Sequence, residues 1–261
     1  MRADVYLFTY EYTKSRQSAR VLIDGGKILI DGVKVAKPSQ EIDENIEHMI
    51  EIIDRPQFVS RGGEKLEAAL QCFGIDVTGL DCIDVGASTG GFTDCLLQRG
   101  AASVYAVDSG HSQLDIKLSN DPRVISIEKF NAKRMQADDF PHQFDLAVMD
   151  VSFISQTMIH PSVSQVLKKD GAFVALIKPQ FECGRSALNS KGVVKNSAYH
   201  HIAVAKVIES ALLNGFSCLN IMRSPIEGGS GNIEFLAYFM KSDVPVNLVS
   251  QESIKRITQA K

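Results

Sequence analysis

The sequence predicts a mostly parallel, doubly wound α/β sheet with an antiparallel last strand, preceded by a small α+β module. Three observations predict it. From residue 60 onward short apolar strands alternate with helical stretches, the pattern of a parallel sheet covered on both faces. The last two strands follow one another with no helix between them, which makes an antiparallel pair. Before residue 60 the chain instead shows two short helices and a hairpin, first basic and then acidic.

The elements read as follows. Residues 2–12 and 15–25 are two helices, the second capped by Ser15 and ended by Gly25-Gly26. Residues 27–35 form a hairpin turning on Asp31-Gly32. A helix at 62–73 leads to a buried strand at 82–85 and a helix at 91–98. Strands at 104–107, 124–127 and 146–149 follow, then a helix near 159–167 and a strand at 172–177. Beyond a long loop, 182–197, come a helix at 198–213 and strands at 217–223 and 233–239. The domain boundaries expected from this are 1–58, 59–241 and a polar tail, 242–261, with a linker near 55–60.

With 44% hydrophobic and 23% charged residues in 261, the chain has the composition of a globular protein with a real core. Its net charge of −3 hides a local charge of +3 over residues 1–40, followed by an acidic stretch at 41–54. The sequence does not open on a basic stretch, an apolar run and a small-residue cleavage site, and a cytoplasmic protein is expected. The longest apolar runs, such as 171–177, fall far short of the roughly 20 residues that span a bilayer, so no membrane partner is expected. The five cysteines (Cys72, Cys82, Cys95, Cys183 and Cys218) are scattered, which fits reduced thiols. His200 and His201 lack a second ligand pair, and no metal is expected.

Asp-Val-Gly-Ala-Ser-Thr-Gly-Gly at 84–91 joins a strand to a helix. Glycines at such a turn bring backbone N–H groups close to a ligand. Gly86, Gly90 and Gly91 are spaced as neither a dinucleotide fingerprint nor a phosphate-cradling loop. Asp84 would repel a pyrophosphate but suits an ammonium group, such as the methionine end of S-adenosylmethionine. Asp108, after the next strand, is placed to accept from ribose hydroxyls. Ala87, Ser88 and Phe92 complete the expected cofactor contacts. A plain packing turn is the alternative reading.

Asp-Val-Gly-Ala-Ser-Thr-Gly-Gly-Phe-Thr from 84 resembles the FtsJ-like ribosomal RNA 2′-O-methyltransferases, a Rossmann-like fold. The whole chain resembles the TlyA family, long labelled hemolysins, which adds an S-four-type RNA-binding domain in front. The N-terminal match runs Thr-Lys-Ser-Arg-Gln-Ser-Ala-Arg-Val-Leu-Ile-Asp-Gly-Gly-Lys-Ile from 13 and Asp-Gly-Val-Lys-Val-Ala-Lys-Pro from 31. Further matches are Ser-Arg-Gly-Gly-Glu-Lys-Leu at 60–66, Asp-Val-Ser-Phe-Ile-Ser at 150–155, Ile-Lys-Pro-Gln-Phe-Glu at 177–182 and Gly-Asn-Ile-Glu-Phe-Leu at 231–236. The resemblance implies a catalytic set at Lys65, Asp150, Lys178 and Glu234, and ribosomal RNA or a ribosomal subunit, at cytidine, as substrate.

The residues themselves agree in part. Asp150 and Lys178 end strands at the carboxyl edge of the sheet, where open α/β proteins bind ligands. A ribose 2′-hydroxyl must lose a proton as it is methylated, and a lysine, with a reference pKa of about 10.4, takes that proton only from its neutral form. Lys178 is the expected base, with Asp150 and Glu234 orienting it. Lys65 either lowers the proton affinity of Lys178 or holds the RNA. An ion-pair network closing the sheet edge is the alternative. Ser152-Phe153 stands where base-methylating enzymes carry a proline-aromatic motif, which argues against transfer to a base nitrogen.

In the S-four-type fold, helix and hairpin side chains touch RNA phosphates; Lys14, Arg16, Arg20, Lys27 and Lys34 are the candidates. Arg61 is a further RNA-binding candidate, as are Arg185 and Lys191 in the long loop after Lys178, which is expected to form part of the substrate channel. Two other functions compete: an RNA-binding ribosome-assembly factor with an inactive methyltransferase domain, and a pore-forming hemolysin, for which the sequence offers no insertion element.

Overall fold

The computed structural model describes residues 1–53 and 57–259. Residues Met1–Gln57 and Phe58–Lys261 form two compact units. The linker expected near 55–60 falls in part on residues 54–56, outside the described residues.

In the first unit, α1 (Ala3–Thr9) and α2 (Arg16–Asp24) accompany a three-stranded antiparallel sheet of order β2-β1-β3. Its strands are β1 (Ile28–Ile30), β2 (Val33–Lys34) and β3 (Ile50–Ile52). Ser15 caps α2 as expected, its hydroxyl accepting from the Ser18 N–H at 3.1 Å, while Ser18 returns the bond to the Ser15 N–H. Asp31 and Gly32 turn the hairpin with φ of 52° and 75°, the pair of positive values that a tight antiparallel turn requires. Leu7, Ala19, Ile23, Ile28, Ile30, Val35 and Ile42 form the core. Two expectations change. The first helix stops at Thr9, because the chain reverses at Glu11, φ 60°. The acidic stretch contains β3, whose Ile50 and Ile52 pair with Ile30 and Ile28.

The second unit holds a seven-stranded sheet of order β6-β5-β4-β7-β8-β10-β9. In chain order it runs α3 (Arg61–Phe73), β4 (Asp81–Val85), α4 (Gly91–Gln98), β5 (Ser103–Val107), α5 (Ile116–Ser119), β6 (Val124–Ile127) and β7 (Phe144–Met149). Then follow α6 (His160–Val166), β8 (Leu167–Ile177), α7 (Pro179–Glu182), α8 (Ser197–Leu213), β9 (Phe216–Arg223), β10 (Phe235–Lys241) and α9 (Gln251–Gln259). Strands β4 to β8 are parallel, and β10 lies antiparallel between β8 and β9, as the directly joined last strands foretold. One face of the sheet buries Leu66 and Leu70 of α3 with Leu96 of α4. The other buries Val163 of α6, Val204 and Val207 of α8, and a cluster of Phe173, Phe216 and Phe239. Each such buried side chain contributes about 1.5–3 kcal/mol.

The segment from 242, read as a polar tail, continues this unit. Asn247 bridges to Cys218 on the β9 edge, and α9 buries Ile254 in the core. Among the described residues no helix is long and apolar enough to cross a membrane, and no group of metal-ligating side chains gathers.

Candidate active site

Parallel strands deliver their C-terminal residues to one edge. Asp84, Asp108, Asp150 and Lys178 all lie there, at the ends of β4, β5, β7 and β8. Because β10 runs the opposite way, its beginning reaches the same edge. Phe235 pairs with Ile177, so Glu234 arrives beside Lys178 although 56 positions separate them in the sequence.

The turn after β4 is tight. Gly86, Ser88 and Gly90 all have positive φ, at 88°, 48° and 93°. A Cβ on Gly86 would lie 2.7 Å from the Asp150 carbonyl oxygen, and one on Gly90 would collide with Leu118. Ser88 therefore accepts a left-handed conformation that glycine would take at no steric cost. The Asp108 carboxylate fixes the turn, accepting from the Ser88 N–H at 2.8 Å and the Gly110 N–H at 2.6 Å. Gly91 meets Ser60, Gly62 and Gly63 so closely that no side chain fits between them. That contact sets the start of α3 against the start of α4 and brings Lys65, one turn further on, to the sheet edge.

Two adjoining clefts open over the turn. The larger, about 420 Å³, is lined by Gly86, Ser88, Asp108, Lys133, Ser152 and Phe153 among others. The smaller, about 190 Å³, is lined by Lys65, Asp84, Ala87, Phe92, Asp150 and Lys178 among others. Gly86, Ser88, Asp150 and Ser152 belong to both walls. Asp84 is fully buried; one oxygen accepts from the Thr93 N–H at 2.9 Å and the Thr93 hydroxyl at 2.7 Å. Its other oxygen has no hydrogen-bond partner among the described residues. Burial, reinforced by the charges of Asp150 and Asp108 and opposed by Thr93, pushes this carboxyl up to about 7.

The four residues of the expected catalytic set divide into two ion pairs. Lys178 Nζ lies 2.6 Å from Asp150 and donates to the Ser152 hydroxyl at 2.8 Å. Lys65 Nζ lies 2.6 Å from Glu234, with side-chain exposures of 8% and 3%. Gln180 adds a bond to the other Glu234 oxygen at 3.3 Å. The expectation that Glu234 orients Lys178 is thus corrected: its carboxylate is taken by Lys65, which is the nearer cation once α3 docks on α4.

The loop after β7 and the segment after β8 are tied rung by rung. Beyond the Lys178 contacts, the Phe153 and Phe181 rings sit 5.3 Å apart. The buried Glu182 then accepts from the Ser155 hydroxyl, the Gln156 N–H at 2.8 Å and Lys206 at 3.1 Å. Phe153 takes a positive φ of 64° and is 93% exposed, an unusual place for a phenyl ring. In the sequence Ser152-Phe153 reads only as the absence of a proline-aromatic motif, and Phe181, Gln180 and Glu182 carry no expected role beyond the matched motif.

The expected RNA-contacting residues distribute less uniformly. Arg61, Arg185 and Lys191 are exposed, but none lines either cleft. The long loop is instead pinned down: Asn232 accepts from the Val194 N–H at 2.9 Å and donates to the Gly192 carbonyl at 3.1 Å. In the first unit Lys14 and Lys34 are exposed and Lys27 half-buried, with the Lys34 side chain lying across Gly26 at the end of α2. Arg16 and Arg20 are both bonded to the buried carboxylate of Asp4.

Against known proteins, the FtsJ-like methyltransferase model matches residues 58–241 and the S4 domain model residues 1–47. Hemolysin A of Brachyspira hyodysenteriae is 44% identical over 92% of this chain and 100% of its own. The 16S/23S rRNA (cytidine-2′-O)-methyltransferase TlyA of Mycobacterium tuberculosis is 38% identical over 91% of this chain and 88% of its own. A solved structure from Streptococcus thermophilus that carries the hemolysin name superposes with a TM-score of 0.78 at 40% identity, covering 99% of this chain and 94% of that one. The chain belongs to the FtsJ-like methyltransferase family, within the TlyA group that sets an S4 domain ahead of the methyltransferase fold.

Proposed function

We propose that the second unit methylates a ribose 2′-hydroxyl of ribosomal RNA, at cytidine as the Mycobacterium tuberculosis relative's name has it, with S-adenosylmethionine as donor and Lys178 as base. The observation that carries this is the Lys178 nitrogen, held by Asp150 at 2.6 Å and Ser152 at 2.8 Å on the wall of the smaller cleft.

The residues fit the donor. The unpartnered oxygen of buried Asp84 suits an ammonium group, and Asp108 suits a ribose diol. When bound, S-adenosylmethionine supplies an electrophilic methyl group. Asp150 and Ser152 aim the Lys178 nitrogen, which takes the hydroxyl proton from its amine form; Asp150 then stabilises the resulting ammonium. Lys65, paired with the buried Glu234, lines the same cleft as Lys178. Phe153 and Phe181 offer an aromatic surface beside the cleft for the base of the target nucleotide, which must leave its stack to present the hydroxyl. The basic first unit would hold the RNA by its phosphates, and an enzyme acting on ribosomal RNA would work in the cytoplasm.

Asp84 gives the donor site a pH dependence. Its folded pKa is raised above that of a free carboxyl, so the protein without ligand takes up a proton there, and ionising it costs stability as pH rises toward 7. An ammonium ligand needs the ionised form. Donor affinity is therefore expected to weaken roughly tenfold from pH 7.5 to pH 6. In isothermal titration, Asp84→Asn should bind weakly and lose that dependence; a wild-type Kd that is flat with pH would contradict the assignment.

The reading as a whole is tested by incubating the protein with labelled S-adenosylmethionine and large subunits, small subunits or stripped RNA. Label on RNA is expected in at least one. Tight binding to a subunit with no label transferred would favour an assembly factor instead.

A further inference from the structure

Among the described residues of the first unit, Asp4 is the charged side chain with no exposed surface. Burying a carboxylate is costly unless it is paired, and one arginine would suffice to pair it. Here three converge on it. Arg2 donates through Nε at 2.9 Å and Nη2 at 3.4 Å, Arg20 through Nε at 2.9 Å and Arg16 through Nη2 at 3.3 Å. Arg16 and Arg20 are four residues apart on one face of α2, and Arg2 immediately precedes α1. These hydrogen bonds, Arg2's foremost, hold the Asp4 carboxyl well below the usual carboxylate range.

The arrangement exceeds what Asp4 needs. Three cations around one anion leave a local excess of two positive charges. The arginine side chains remain 44%, 49% and 44% exposed for Arg2, Arg16 and Arg20. Each guanidinium carries five N–H donors, of which Asp4 uses one or two. Arg16 also begins α2, where a cation opposes the helix dipole and a Ser15 cap already serves the helix. Without the central carboxylate the three cations would repel one another and splay.

We infer that Asp4 is a positioning residue that holds Arg2, Arg16 and Arg20 as one rigid surface for the backbone phosphates of a folded RNA. The inference rests on the RNA-binding reading of the first unit. Planar guanidinium forks grip phosphate oxygens in pairs, and forks already held in place lose less freedom on binding.

Charge and positioning predict opposite signs for Asp4→Asn. By charge alone, deleting an anion tightens RNA binding. By positioning, it weakens binding to purified ribosomal subunits about tenfold or more and makes the slope of log K against log salt shallower by about two phosphates' worth. The full-length protein is titrated with large and with small subunits by filter binding across a salt series. S-adenosylmethionine binding serves as the control, since it belongs to the other unit and should not change. Binding as tight as wild type, or tighter, overturns the inference. Should Asp4→Asn unfold the first unit, Arg16→Lys/Arg20→Lys decides, because it keeps every charge and leaves Asp4 paired. Weaker binding by that variant supports the fork geometry, and unchanged binding overturns it. Arg2→Gln/Arg16→Gln/Arg20→Gln separates the two levels. If it leaves subunit binding intact, the RNA-binding reading of this surface fails; if it alone weakens binding, only the role of Asp4 fails.

Discussion

Lys178→Met is expected to reduce methyl transfer by about a thousandfold or more while S-adenosylmethionine binds within a few-fold of wild type. General-base contributions run from about 10² to 10⁴ in rate, and this nitrogen is the one that Asp150 and Ser152 hold at the cleft wall. Methionine fills the same volume without a base. The loss should fall on kcat rather than on the KM for the donor, since the turn around Gly86 and the Asp84 and Asp108 carboxylates stay in place. Stability should fall by less than for a fully buried pair, because 22% of the Asp150 side chain faces water, although the oxygen beside Lys178 is buried. Single-turnover label transfer with isothermal titration of the donor checks both halves. A variant that retains more than a tenth of wild-type turnover would remove Lys178 from the chemistry.

Lys65→Met should behave differently and destabilise the fold. The Lys65–Glu234 pair is buried on both sides, so removing the lysine strands a carboxylate that is only 3% exposed. Breaking such a pair costs about 3–5 kcal/mol. For a unit of this size that corresponds to a melting temperature lowered by on the order of 10 °C. Lys65→Met/Glu234→Leu removes both charges and should recover most of the stability, since a well-packed apolar pair often matches a buried ionic one. The double variant then separates two roles for the pair. If it melts near wild type yet transfers no methyl groups, the pair acts in the reaction; if it regains both stability and activity, the pair merely closes the sheet edge.

The sequence revealed the sheet well because parallel strands are local apolar runs punctuated by helices. It revealed the antiparallel last strand because nothing separated β9 from β10. That topology also explains why Glu234 joins the same edge as Lys178. Which lysine Glu234 pairs with was not legible: it depends on glycine contacts between α3 and α4, set by Gly62, Gly63 and Gly91, which no spacing rule encodes. The same holds for β3, a three-residue strand inside an acidic stretch, whose pairing with β1 is a tertiary event. Arg16 and Arg20 were legible as cations on one helix face, but their shared anchor was not, since Asp4 lies on another helix. The length of the loop after α7 was legible, but what holds it was not, since the hydrogen bond from the buried Val194 N–H to Asn232 spans 38 positions. Phe153 was visible as a residue and invisible as a surface, because exposure of a phenyl ring cannot be read from its neighbours in sequence.

Transfer of the methyl group to a ribose oxygen can be read from the product itself. Labelled ribosomal RNA is digested to nucleosides and analysed by mass spectrometry. The added methyl is expected on the ribose, with the phosphodiester that follows resistant to alkaline cleavage. A methyl group on a base nitrogen or carbon, with the ribose unmodified, would contradict it.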